Sequence, residues 1–79
     1  MSPGERIALI RGSKGWSQEY VAGELGLSPS SYSRLERNER SLLYSEAVKL
    51  ARLFNCDVAA FDESLGGPIR SVVPPAVRL

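Results

Sequence analysis

The sequence predicts an all-α fold, a compact bundle of about five helices. Apolar residues recur at helical spacing through most of the chain, and no alternating pattern typical of half-buried strands has useful length before residue 68. The 79 residues are enough for one small domain. Cys56 is the only cysteine, which excludes an intrachain disulfide, so helix packing or dimerisation must supply the stability.

The spacing of apolar residues and a capping serine predict the first two helices. Ile7, Ile10 and Arg11 share one face of a first helix that Gly15 ends. Ser17 is a favourable N-cap for a second helix, because its hydroxyl can accept from a free backbone N–H. The inner stripe of this second helix consists of Val21, Ala22 and Leu25.

The next break produces a tight corner between two short helices. Gly26 can take a positive φ after the second helix ends at Leu25. Ser28 is predicted to cap a third helix with Pro29 as its first residue, where the missing N–H costs nothing. Such a corner is typical of the helix-turn-helix described for DNA binding, whose second helix lies in the major groove.

A longer fourth helix and a short fifth helix complete the predicted bundle. Asn55 is placed to end the fourth helix in the left-handed conformation, and Asp57 can cap the fifth. The buried face of the fourth helix is expected to consist of Leu43, Ala47, Leu50, Ala51 and Phe54.

The C-terminal segment differs in composition from the rest. Residues 66–79 contain two glycines and three prolines, and Pro74 and Pro75 forbid a continuing helix. We therefore expect a domain at residues 1–65 and an extended or disordered tail at 66–79. The alternative is that the segment IRSVV pairs as an edge strand with another chain.

Composition excludes several kinds of site. The chain has no histidine and one cysteine, which excludes the usual zinc sites and a Ser–His nucleophile. We expect no enzyme activity, no metal and no cofactor. No apolar run approaches the ~20 residues of a membrane span, and the first residues do not have the pattern of a secretory signal. The expected compartment is the cytoplasm.

The outward face of the third helix carries small or basic side chains. Small hydroxyls allow the backbone to approach base edges, and Arg34 is long enough for a bidentate contact to guanine. A helix exposed only to water more often carries Glu/Lys pairs. These outward residues are Ser30, Ser31, Ser33, Arg34 and Arg37.

The segment QEYVAGELGLSPSSYSRLERNER resembles the helix-turn-helix of the phage-repressor and Cro-like family, often called the xenobiotic response element (XRE) family. The resemblance rests on Gln18, the small Ala22, Gly26 in the turn, and the Ser-Arg-Leu-Glu run at 33–36. It extends over about residues 4–63 and implies a lambda repressor-like DNA-binding domain. Tyr32 departs from the usual Ile or Val, so its hydroxyl needs a partner.

The resemblance and the outward face together give the expected contacts. Arg11 and Glu36 match a pair that the family joins by a salt bridge. For Ser28, helix capping and a phosphate contact both remain open. The last helix and the tail are expected to dimerise through Val58, Phe61, Ile69 and Val72. The residues expected to contact DNA are Gln18, Ser28, Pro29, Ser30, Ser31, Arg34, Arg37, Asn38 and Arg40.

The expected function is that of a sequence-specific regulator of transcription. We expect a repressor from a bacterium or phage that binds double-stranded DNA as a homodimer on a palindromic operator. One alternative is an antitoxin that binds its own promoter and holds a toxin through the tail. Another is a protein-interaction module in which the corner does not meet DNA.

Overall fold

A computed structural model describes residues 1–62 of the chain, and these residues form an all-α bundle. They contain four α-helices, α1 (Pro3–Ser13), α2 (Gln18–Leu25), α3 (Pro29–Glu36) and α4 (Tyr44–Phe54), followed by a 3₁₀ helix at Val58–Ala60. The predicted fold class is therefore confirmed. The fifth element is a single 3₁₀ turn of three residues, where the sequence predicted a short helix.

The helix ends have the local chemistry that the sequence predicts. The hydroxyl of Ser17 accepts from Tyr20 N–H, and Gly26 ends α2 with a φ of 72°. Asn55 ends α4 with a φ of 58°. The carboxylate of Asp57 accepts from Ala59 N–H and caps the 3₁₀ helix.

The core lies where α3 packs against α1 and α2, and where α4 packs against α2 and the 3₁₀ helix. Ring contacts extend it, since Phe54 lies 6.0 Å from both the Trp16 and the Phe61 ring centroids. The buried apolar residues are Ile7, Val21, Ala22, Leu25, Tyr32, Leu35, Ala47, Leu50, Ala51, Phe54 and Phe61.

Two expectations about apolar residues are wrong. Leu43 was expected on the buried face of α4, but it is the N-cap residue and is 54% exposed. The helix begins one residue later, so its buried stripe begins at Ala47. Phe61 was expected in a dimer surface, but it is fully buried because its ring packs edge-on against Phe54.

The remaining residues of the expected dimer surface divide into two groups. Val58 is partly buried and packs against the core, with part of its surface accessible. Ile69 and Val72, like the expected tail at 66–79, lie outside the described residues. The boundary between domain and tail therefore stays a prediction.

Candidate nucleic-acid interface

The start of α3 is fixed by its own first residues. The hydroxyl of Ser28 accepts from Ser31 N–H at 3.1 Å, and Pro29 occupies the first helical position. Leu27 N–H donates to Ala22 O at 2.9 Å across the corner. These contacts set the angle at which α3 leaves α2. Helix capping at Ser28 is thus present, and its hydroxyl hydrogen remains able to donate to an incoming acceptor.

The outer face of α3 is small and accessible. Pro29, Ser30 and Arg34 are exposed, and Ser31 and Ser33 are half-buried. Ser30 and Arg34 are four residues apart in the same helix, so they lie on one face about one turn apart. The Arg34 guanidinium makes no hydrogen bond or ion pair with any residue of 1–62. It is therefore available to an external acceptor.

Arg37, directly after α3, has partners within the protein. Its Nη2 donates to Glu39 Oε1 at 3.1 Å, and its Nη1 donates to the Ser33 hydroxyl. The Arg37 and Glu39 side chains are 55% and 54% exposed. Arg37 thus stays at the surface beside Arg34 while an acidic neighbour compensates its charge.

Asn38 and Arg40 were expected to lie on a DNA backbone, but their side chains hold helix starts. Asn38 Oδ1 accepts from Gly4 N–H at 3.1 Å, and its Nδ2 donates to the hydroxyl of Ser2. Both terminal nitrogens of Arg40 donate to the Glu46 carboxylate, at 3.0 and 2.9 Å. These side chains are therefore less free to bind phosphate than the sequence alone indicates.

Glu46 is the acidic partner of this loop and was not identified from the sequence. Its carboxylate also accepts from Leu43 N–H at 3.1 Å, which satisfies a free donor at the start of α4. Burial raises the pKa of Glu46, but the hydrogen bonds from Arg40 and Leu43 N–H outweigh it, and the net shift is downward. Arg40 and Glu46 thus fix the loop between α3 and α4.

The Glu36 carboxylate joins the first three helices. It accepts from Arg11 Nε at 2.6 Å and Arg11 Nη2 at 3.2 Å, and from Gln18 Nε2 at 2.8 Å. The hydroxyl of Tyr32 donates to it as well, which supplies the partner that a buried tyrosine needs. Arg11 Nη1 further donates to Trp16 O at 2.8 Å. Gln18 keeps one amide hydrogen and its carbonyl oxygen for other contacts.

The contacts among Arg11, Gln18, Tyr32 and Glu36, called the Glu36 hub below, shift the pKa values of three of these residues. Burial raises the pKa of Glu36, but the hydrogen bonds from Arg11, Tyr32 and Gln18 lower it by more. The net shift is downward, so the carboxylate stays ionised at neutral pH. Burial, and then the hydrogen bond to Glu36, raises the pKa of Tyr32 well above its usual range. The hydrogen bond to Glu36 raises the pKa of Arg11. The hub is therefore a fixed structural element at neutral pH.

Besides Glu46, three residues near the site have roles that were not predicted from the sequence. Ser2 and Glu5 form a capping box at the start of α1, and the pattern Ser-x-x-Glu gives a readable signal for it. Gly4 lies against the end of α3, where an added Cβ would be 2.5 Å from Leu35 O. No local pattern reveals this close approach, because it depends on how α1 crosses α3.

The comparison with known families agrees with this geometry. A family model described as helix-turn-helix (HTH_3) matches residues 7–61, more than half of the chain. The protein belongs to this helix-turn-helix family, the XRE or Cro-like family that the sequence resembles. It is a DNA-binding regulator of transcription. Regulators of this family are typically not enzymes.

Other comparisons give no relative. No curated protein and no solved structure matched the chain. Within residues 1–62, no helix has the length and apolar character needed to cross a bilayer. In the same residues, no group of three or more His, Cys, Asp or Glu side chains is placed to hold a metal ion.

Proposed function

We propose that this helix-turn-helix regulator is a cytoplasmic homodimeric repressor that reads a palindromic operator with α3. The observation that carries the proposal is the exposed face of α3, on which Ser30 and the unpaired Arg34 lie one turn apart. The major groove is about 12 Å wide and admits one α-helix. Small side chains at the start of α3 suit a close approach of its backbone to the base edges.

Arg34 is the proposed base-reading residue. A guanidinium can donate two parallel hydrogen bonds to O6 and N7 of one guanine, and a wrong base there costs about 1–3 kcal/mol. Ser30 and Ser31 would contact bases or phosphates beside it. Pro29 would supply van der Waals contact, for example to a thymine methyl group.

Gln18 and Ser28 are proposed phosphate contacts with free donors, and Arg37 is a third whose Nη2 must first leave Glu39. Gln18 starts α2 beside the hub and keeps one amide hydrogen for a phosphate oxygen. The hydroxyl hydrogen of Ser28 is free to donate while its oxygen caps α3. Asn38 and Arg40 are proposed to reach phosphate with the side-chain hydrogens that their bonds to Ser2 and Glu46 leave free.

The dimer follows from the small footprint of one monomer. An eight-residue helix reads few base pairs, so two copies related by a two-fold axis are needed for a specific operator. Helix-turn-helix dimers bind half-sites about 34 Å apart, one turn of the duplex. Such an operator placed over a promoter blocks transcription.

The proposal is tested by selecting bound duplexes from a random pool. Wild type is expected to enrich a motif with two-fold symmetry and half-sites about 10 base pairs apart. Arg34→Ala is expected to lose one base preference in each half-site. Arg52→Ala removes the same charge from an exposed position on α4 and serves as the matched control. An asymmetric motif contradicts the dimer, and an unchanged motif with Arg34→Ala contradicts the proposed reader.

A further inference from the structure

Much of the positive charge at the C-terminal end of α3 is compensated inside the protein. Arg40 is paired with Glu46 at 2.9 Å, and Arg37 is paired with Glu39 at 3.1 Å. Among residues 1–62, Arg34 is the basic side chain of this region without such a partner. The proposed DNA-facing end therefore carries less free positive charge than its three arginines indicate.

The two acidic partners differ in what they do for the fold. The Glu46 side chain is only 10% exposed and caps α4, so it is structural. The Glu39 side chain is 54% exposed, and its bond with Arg37 is the one hydrogen bond that it makes within residues 1–62. The backbone at this turn is held separately, because Glu39 N–H donates to Arg34 O at 2.8 Å.

The two Arg37 nitrogens that would donate to a phosphate already have partners within the protein. Its Nη2 donates to Glu39, and its Nη1 donates to the Ser33 hydroxyl. Carboxylate and phosphate oxygens bind guanidinium with the same fork-like geometry. A phosphate that binds Arg37 Nη2 must either displace the Glu39 carboxylate or lie close to its negative charge.

Glu39 also lies within the field of the unpaired arginine. The hydrogen bond from Arg37, and then the charge of Arg37, lowers the pKa of Glu39, and the charge of Arg34 adds a smaller effect in the same direction. The Glu39 carboxylate thus contacts Arg37 directly and interacts with Arg34 through charge alone. Exposed ion pairs contribute little to folding stability. A contribution to the fold is therefore a poor explanation for this pair.

We propose that Glu39 is an internal competitor for phosphate, whose carboxylate occupies Arg37 and limits sequence-independent binding to the DNA backbone. This inference rests on the proposed function of α3. Binding to unrelated DNA depends almost wholly on phosphate neutralisation, so one masked arginine weakens it and reduces its salt dependence. A regulator gains specificity when competing interactions are weakened, as well as when the correct one is strengthened.

The test measures binding to the selected operator and to an unrelated duplex of equal length over a range of salt. Glu39→Gln is expected to tighten binding to the unrelated duplex severalfold at low salt. The slope of log K against log salt concentration should become steeper by about 0.9, the value for one more neutralised phosphate. The ratio of the Glu39→Gln affinity to the wild-type affinity for the unrelated duplex should then fall about 3.5-fold between 50 and 200 mM salt.

Two further variants identify the cause. Glu24→Gln makes the same charge change on an exposed residue of α2 that has no ion pair within residues 1–62, and it should leave the slope unchanged. In an Arg37→Ala background, Glu39→Gln should lose most of its effect, because the masked guanidinium is absent. Thermal unfolding of each variant checks that the fold is retained.

The outcomes separate this inference from the proposed function. If wild type binds DNA and Glu39→Gln has the wild-type affinity and slope, the competitor role is wrong and the proposed function stands. The competitor role is also wrong if Glu24→Gln raises the affinity for the unrelated duplex as much as Glu39→Gln does. It is equally wrong if Glu39→Gln has its full effect on that affinity in the Arg37→Ala background. If neither wild type nor Glu39→Gln binds any duplex, the proposed function fails and this inference fails with it.

Discussion

Arg11 and Glu36, 25 residues apart in the chain, are joined by two hydrogen bonds that tie the first helix to the end of the third. The Glu36 side chain is 5% exposed, and its carboxylate also accepts from Gln18 on α2 and from Tyr32 on α3. Three helices therefore meet at one buried carboxylate. The orientation of α3 relative to the first two helices depends on this residue.

The Tyr32 hydroxyl is predicted to stabilise this arrangement measurably. Tyr32→Phe keeps the ring in the core but removes one of the donors to the Glu36 carboxylate. Hydrogen bonds to charged groups contribute about 1.5–3 kcal/mol, so the free energy of unfolding should fall by about that amount. Urea unfolding measures it. Tyr44→Phe is the control, since Tyr44 is 61% exposed and its change should have little effect. An equal loss in both variants would contradict the role of the hub.

Acid is predicted to destabilise the protein through Glu36. The folded pKa of Glu36 lies below its ordinary value, so its contribution to stability is present above the unfolded pKa of about 4.3 and is lost as pH falls through the folded pKa. The melting temperature of wild type should be nearly constant above about pH 5 and should fall steeply below about pH 4.

The pH dependence is assigned by comparing variants in thermal melts from neutral to acidic pH. Glu36→Gln should be less stable than wild type at pH 7 and should show a shallower acid slope, because the titrating carboxylate is gone. Glu46 also has a lowered pKa, so part of the slope should remain. A Glu36→Gln profile parallel to that of wild type would show that other groups dominate.

Gly4 is predicted to be required for the approach of α1 to α3. A Cβ at this position would lie 2.5 Å from Leu35 O and 2.6 Å from Glu36 O, and these backbone atoms cannot move without shifting a helix. Gly4→Ala should therefore destabilise the fold by about 1–3 kcal/mol, the usual cost of overpacking.

Gly12 offers a matched control on the same helix. An added Cβ there meets nothing within 4 Å, so Gly12→Ala should stabilise the protein by about 0.5–1 kcal/mol through helix propensity. Both values come from chemical unfolding. A stabilising effect of Gly4→Ala would mean that α1 and α3 are less closely packed than described.

The features predicted from the sequence are those that adjacent residues determine. Ser17, Ser28, Gly26 and Asn55 have their predicted end-of-helix roles, because caps and left-handed turns depend on local chemistry. Leu43 was misplaced because helical spacing alone does not show at which residue a helix begins.

Long-range contacts were less accessible to sequence reasoning. The resemblance to a known family gave the pairing of Arg11 with Glu36, which no local pattern contains. Asn38 contacts Gly4 across 34 residues, and Arg40 contacts Glu46 across a loop, so their partners could not be identified from spacing. Which arginines of the α3 region are unpaired is therefore information that only the structure supplies.

The central claim, that Arg34 reads a guanine in the major groove, is tested most directly by a double-mutant cycle on the selected operator. Affinities are measured for wild type and Arg34→Ala on the operator and on one in which 7-deazaguanine replaces the candidate guanine and removes its N7 acceptor. Each single change should cost about 1–3 kcal/mol, and the two together should cost little more than Arg34→Ala alone. Costs that simply add would contradict a direct contact between Arg34 and that base.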